Sequence, residues 1–128
     1  MTALVDTHIL LWWLQDDPRL SRNARRALED SNARHWVSYV SLWEIAIKMS
    51  LGKLDVGGRS IERLTAELDR EGFVLLPIRI EHLSRLADLV HLHRDPFDRM
   101  LIAQALELGA PLLTNDTAIK RYPVKTIW

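Results

Sequence analysis

The chain has no cysteine among its 128 residues, which excludes a thiolate nucleophile, a disulfide frame and a cysteine-bound metal. This absence fits a reducing compartment. Neither charge is in excess: Lys and Arg number 17, Asp and Glu 17, and the net charge is zero. Nucleic-acid proteins usually carry a basic surplus, so any phosphate contact must come from local patterning. Arg22, Arg25, Arg26, Lys48, Lys53, Arg59, Arg94 and Arg99 are among the cations available for it. No basic segment opens the chain, and the Ile9–Leu14 run is too short for a signal core or a membrane span. A cytoplasmic protein with no membrane partner is expected. No repeat, low-complexity tract or linker divides the sequence, and residues 1–128 read as one domain able to bury a single core. With 48% hydrophobic and 27% charged residues, a disordered chain is excluded as well.

What is present is an alternation of short apolar runs with helical patterns. Thr2–Val5 reads as a buried strand, followed by a helix through Ile9, Leu10, Trp13 and Leu14 that Asp16-Asp17-Pro18 stops. Ser21 is placed to cap a helix reaching about Asp30, and Trp36–Val40 reads as a second strand. The spacing of Leu42, Ile45, Ala46 and Met49 predicts a helix opening at Ser41 and ended by Gly52. After an Asp55–Gly58 turn, Ser60 caps a helix closed by Gly72, and Phe73–Leu76 is a third strand. Ile80–Val90 carries Leu83, Leu86, Ala87 and Val90 at helical spacing. Pro96–Leu108 is the strongest helix, with its stop at Gly109. Leu112–Thr114 is a fourth strand and Thr126–Trp128 a short edge strand. Strands alternating with helices imply a mainly parallel sheet in a three-layer α/β/α sandwich. Strand order does not follow from the sequence.

Four acidic residues stand where strands end or helices begin. Asp6 follows Ala3-Leu4-Val5, Glu44 lies in the first turn after Ser41, Asp98 in the first turn after Pro96, and Asp116 just past Pro111–Thr114. In an open α/β sheet such positions converge on the crevice outside the carboxyl ends of the strands. Without cysteine or a clustered histidine pair, the pocket is expected to be an all-oxygen site suited to Mg²⁺ or Mn²⁺. Each acid also has a capping explanation. Asp6 can cap the first helix, and Ser41-Leu42-Trp43-Glu44 fits a capping box. Asp95 can cap a helix with Pro96 at its first position, which places Asp98 in the favourable field of the helix dipole. Asp116 can cap a short helix over Thr117–Arg121. Capping and metal binding are compatible, because a first-turn carboxylate can still face the crevice. Two carboxylates about 4 Å apart repel by roughly 4 kcal/mol at an effective dielectric near 20, and a divalent cation removes much of that cost.

The remaining polar residues carry less. A metal-free ribonuclease wants two histidines as acid and base, whereas the His91-x-His93 spacing on a loop suits solvated or helix-terminal residues. Lys48 lies four residues after Glu44, so an ion pair competes with a phosphate contact. Arg94 and Arg99 are expected to flank a substrate phosphate. Trp12, Trp13, Trp36 and Trp43 are expected mostly in the core, with one or two serving base stacking or a groove for a partner helix.

Four blocks resemble a known family: Val5-Asp6-Thr7-His8, Ser41 through Lys48, His93 through Ala105, and Leu112 through Asp116. In this order and spacing they resemble PIN-domain ribonucleases, most of all the VapC toxins of toxin–antitoxin pairs. The resemblance covers essentially the whole chain. It maps the family's acidic quartet, catalytic and metal-binding, onto Asp6, Glu44, Asp98 and Asp116. Asp98 is preferred over Asp95 because it lies 16 residues before Thr114, as the family's spacing requires. Asp6 and Asp98 are then the expected direct ligands, with Glu44 and Asp116 acting through water or at a second metal. The resemblance implies a Mg²⁺- or Mn²⁺-dependent endoribonuclease with an RNA substrate, commonly a homodimer, held inactive by a VapB-like antitoxin. Two other readings remain from the residues alone. A receiver-like phosphotransfer domain would use Lys125 but leaves Glu44 unexplained, and a binding module would use all four acids as caps.

Overall fold

A computed structural model describes residues 2–128. The chain runs β1 (Leu4–Val5), α1 (Thr7–Leu14), α2 (Arg22–Glu29), β2 (Trp36–Ser38), α3 (Tyr39–Ser50), α4 (Ile61–Arg70) and β3 (Val74–Leu76). It continues through α5 (Ile80–Asp88), α6 (Pro96–Leu108), β4 (Leu112–Leu113), a 3₁₀ turn at Ile119–Arg121, and β5 (Thr126–Ile127). All strand pairings are parallel, in the order β3-β2-β1-β4-β5. Leu4 sits opposite both Trp36 and Leu112. The strands are only two or three residues long, yet each sends successive side chains to opposite faces. Val5, Val37 and Leu113 pack with Ile9, Ala24, Ile45 and Leu64 on one side. Leu4, Leu76 and Leu112 pack with Leu101, Ile102 and Ala105 on the other. The sheet is thus covered by helices on both faces, the three-layer arrangement the alternating pattern implies. Among the described residues no helix is long and apolar enough to cross a membrane.

Most helix limits follow local chemistry. Ser21, Ser60 and Asp95 each cap the helix that follows with a side-chain oxygen. Gly109 ends α6 in the left-handed conformation at φ 65°, which a Cβ would strain. Two expectations are corrected. The second strand ends at Ser38 instead of Val40, and Ser38 rather than Ser41 caps α3, its Oγ accepting from Val40 N at 3.0 Å. The α3 cap therefore lies three residues earlier than expected, and Glu44 lies beyond the first turn, outside any capping box. The apolar spacing of Ile80–Val90 also misleads: α5 stops at Asp88, and Ile80, Leu83 and Val90 are exposed. The buried side chain on α5 is His82, whose Nδ1 accepts from Arg79 N at 3.0 Å.

Candidate active site

The strand order reverses direction between β1 and β4, since the chain adds strands on one side of β1 and then crosses to the other. At such a switch point the loops leaving adjacent strands diverge and open a crevice. Asp6 leaves β1 there, and Asp116 lies just past β4. Asp6 is 1% exposed, and its carboxylate is tightly engaged. Oδ1 accepts from Thr7 N at 2.7 Å, making Asp6 the α1 cap, and Oδ2 accepts from Thr114 Oγ1 at 2.6 Å. Thr114 thereby ties the two strand ends together, and its hydroxyl also accepts from Asp116 N at 3.1 Å. Asp116 Oδ1 accepts from Ala118 N at 2.8 Å, closing the loop before the 3₁₀ turn.

Helix α6 brings the third acid. Asp95 caps it, with Oδ1 accepting from Phe97 N at 2.8 Å and Asp98 N at 3.2 Å, which leaves the Asp98 carboxylate free to face the crevice. His93 Nε2 lies 3.0 Å from Asp98 Oδ2 and 3.5 Å from Asp116 Oδ2. That nitrogen is buried yet makes no well-aligned hydrogen bond. His93, Asp98 and Asp116 each offer a ligand atom, all within 4.8 Å of one another. Partial burial, and then the charges of Asp6, Asp95 and Asp116, push the Asp98 pKa up to about 7 despite the opposing effect of His93. An acid so disfavoured as an anion lacks sufficient positive charge around it. Crowded carboxylates and a buried, unsatisfied imidazole nitrogen together fit a divalent cation.

On the far side of Asp6, His8 Nδ1 lies 3.2 Å from Asp6 Oδ2 and Nε2 2.5 Å from Asn115 Oδ1. Burial works against the charged imidazole, but the bond to and charge of Asp6, with Asn115 and Asp98, outweigh it and raise its pKa to about 9. Glu44 lies outside the group of three, paired with Lys48 at 2.9 Å. Its helix is nonetheless anchored to the crevice, because Ser41, one turn earlier, shares a 2.8 Å hydroxyl contact with Thr7.

With this geometry in place, the comparisons decide the family. The PIN domain model matches residues 3–125. The chain belongs to the PIN-domain family. Ribonuclease VapC22 of Mycobacterium tuberculosis is 26% identical over 131 residues, spanning 99% of this chain and 98% of the relative. The fold is similar to that of VapBC2 from Rickettsia felis bound to a DNA fragment from their promoter, with TM-score 0.71, 18% identity, and 99% and 98% of the two chains covered. A toxin–antitoxin complex from Klebsiella pneumoniae gives TM-score 0.69 at 20% identity, covering 98% of this chain and 96% of that one.

Within this PIN domain the structure brings Asp98 and Asp116 together, places Asp6 within reach of their charge, and leaves Glu44 on the neighbouring helix. Two expectations are corrected. The cluster is not all oxygen, because the His93 nitrogen enters it. Arg99 is not a surface phosphate contact: it is 7% exposed. Its Nη1 donates to Val90 O at 2.9 Å and Tyr122 Oη at 3.1 Å, and its Nη2 to Leu89 O at 3.2 Å. Tyr122 Oη also accepts from Leu92 N and His93 N, each at 2.9 Å. Arg99 and Tyr122 thus staple the loop that carries His93. This loop has no helical or strand period, so its inward turn gave no pattern to read. The sequence signals were its proximity to Asp95 and Asp98 and its place at the start of the third family-like block. Arg94 remains exposed on the same loop, beside a cavity of about 680 Å³ shared with His91 and His93.

Proposed function

We propose that residues 1–128 form one nuclease domain, a Mg²⁺- or Mn²⁺-dependent endoribonuclease that acts in the cytoplasm as the toxin of a toxin–antitoxin pair. The observation that carries this reading is the meeting of Asp98 and Asp116 with the unsatisfied His93 nitrogen at the β1/β4 switch point, Asp6 adjoining. The family match and the likeness to a protein named ribonuclease VapC22 support it. Asp98 and Asp116 would hold the cation with His93 completing or adjoining the set, and Asp6, expected as a direct ligand, would add charge beside them while locking β1 to β4 through Thr114. When bound, the cation supplies charge neutralisation at the phosphodiester and activation of water at neutral pH. Glu44 orients the attacking water once Lys48 turns to a substrate phosphate, and Arg94 binds a phosphate on the opposite side. This reading assigns the family's acidic quartet to Asp6, Glu44, Asp98 and Asp116 and adds His93 to it.

An antitoxin partner fits the apolar groove between α3 and α4, about 390 Å³, lined by Tyr39, Leu42, Trp43, Ala46, Ile61 and Leu75. Trp43, 57% exposed, stands beside Phe97 at 5.0 Å, so the groove lies next to the helix turn carrying Asp98. A segment seated there could reach the carboxylates with an arginine. The exposed Ile80, Leu83 and Val90 offer a surface for the second copy of a homodimer. Two neighbouring substitutions test the site. Asp98→Asn should abolish RNA cleavage and the growth arrest caused by expression, at least a hundredfold in rate. Asp95→Asn should keep most of both, since Asn caps nearly as well as Asp. Equal loss in the two variants would contradict the assignment.

A further inference from the structure

From Asp6 a row of rings runs outward along α1. Its first member, His8, is fixed at both ring nitrogens by Asp6 and Asn115, while 37% of its side chain stays exposed. One helical turn on, Trp12 meets His8 edge to face, with centroids 5.0 Å apart and planes at 80°. Trp128 adjoins Trp12 at 6.0 Å, and the Arg19 guanidinium carbon lies 4.8 Å from the Trp12 ring centre. Arg19 is held in turn at the surface by Asp17, with Nη2 2.7 Å from Oδ2. Thr7, Ile9, Leu10 and Leu11 are the buried residues of α1, whereas His8 and Trp12 are half-buried on one stripe of the helix, Trp12 with one part of its ring against the core.

Partly open rings ending in a cation match the chemistry of single-stranded nucleic-acid binding, in which bases stack on aromatic side chains and phosphates meet arginine. With zero net charge, this protein lacks the general attraction that would hold RNA by its phosphates alone. We propose that His8 and Trp12 form a nucleobase subsite, where a base of single-stranded RNA near the cleaved phosphodiester stacks on Trp12 in place of Arg19. The displaced guanidinium then takes the adjoining phosphate. Arg19 is itself exposed and only its half-buried partner Asp17 holds it, so salt weakens the pair that the exchange must break. The subsite rests on the ribonuclease reading.

The test uses the Asp98→Asn protein and short fluorescent oligoribonucleotides in which one position at a time is made abasic with its phosphate kept. One or two positions should bind about fivefold more weakly or worse, the effect of losing one stacked base. That drop should disappear when Trp12→Leu is added and persist with Trp12→Phe. Arg19→Gln should lower the slope of log affinity against log salt by about 0.7, one phosphate contact on a single strand. Equal binding of intact and abasic RNA at every position would overturn the subsite, and this scan needs no substitution at Trp12. A full drop retained in folded Trp12→Leu would overturn it too. Cleavage by the unsubstituted protein in Mn²⁺ is measured in parallel. If cleavage is present and the drop absent, the subsite alone fails. If the drop is present and cleavage absent, the subsite stands and the nuclease reading fails.

Discussion

Asp98 lies partly buried among Asp6, Asp95 and Asp116, and its pKa is raised from 3.8 to about 7. The folded protein holds this proton more tightly than the unfolded chain does. Stability contributed by protonated Asp98 is therefore complete below pH 3.8 and is lost as the pH rises through 7. In chelator, Asp98→Asn should raise the melting temperature by a few degrees at pH 8 and by much less at pH 5. Burial depresses the pKa of His82 and acts in the opposite direction, its stabilisation being lost as the pH falls below 6.5. The difference between parent and variant cancels His82 and reports Asp98 together with its charge coupling to His8, and an equal gain at both pH values would contradict this electrostatic account. Arg99 belongs to the same scale but does a different job. Arg99→Leu leaves the carbonyls of Leu89 and Val90 without their donor, so it should destabilise the fold by about 2 kcal/mol in urea denaturation. By contrast, Arg94→Gln should weaken RNA binding with stability unchanged. Asp6, Asp98 and Asp116 were legible because carboxylates at strand ends and helix starts have few places to point. His93 was not, because its position depends on Tyr122, 29 residues away, which accepts from its backbone N–H.

Among the elements, α6 shows what sequence can specify: Asp95, Pro96 and Gly109 mark both ends, and the helix runs between them. Helix α3 shows the reverse. Ser38 and Ser41 are both buried, and both precede an apolar stripe, so local chemistry admits either as the cap. Tertiary contacts separate them. Ser38 Oγ donates to Gln104 Oε1 at 2.5 Å while capping Val40 N, and Ser41 Oγ instead meets Thr7 Oγ1. Ser38→Ala should therefore cost about 2 kcal/mol, a lost cap plus an unpaired Gln104 oxygen. Ser41→Ala should cost less than half of that in the same denaturation series. A larger loss at Ser41 would restore the capping box that the structure rejects. On α5, exposed Ile80 and Leu83 give the helix its apolar spacing. The same residues face solvent in the single chain, so periodicity alone pointed to a burial that the fold does not provide.

For the whole molecule, the α/β layering was readable from the alternation of strands and helices, while the order β3-β2-β1-β4-β5 was not. Two-residue strands carry too little pattern to state their neighbours. The order matters because it creates the reversal beside β1 where Thr114 links Asp6 to Asp116, so the candidate site is a property of topology as much as of motif. Cation binding at that point should link stability to function. Mn²⁺ should raise the parent's melting temperature, since a ligand of the native state alone stabilises it, and Asp98→Asn should remove most of the gain. The measurement that tests the central claim most directly is RNA cleavage by one preparation across a Mn²⁺ titration, with Mn²⁺ binding followed on the same samples. The cleavage rate should rise along the binding curve, vanish in excess EDTA and be absent in Asp98→Asn. Cleavage that persists undiminished in EDTA, with the Asp98→Asn control free of activity, would contradict the assignment of these acids to a metal-dependent nuclease.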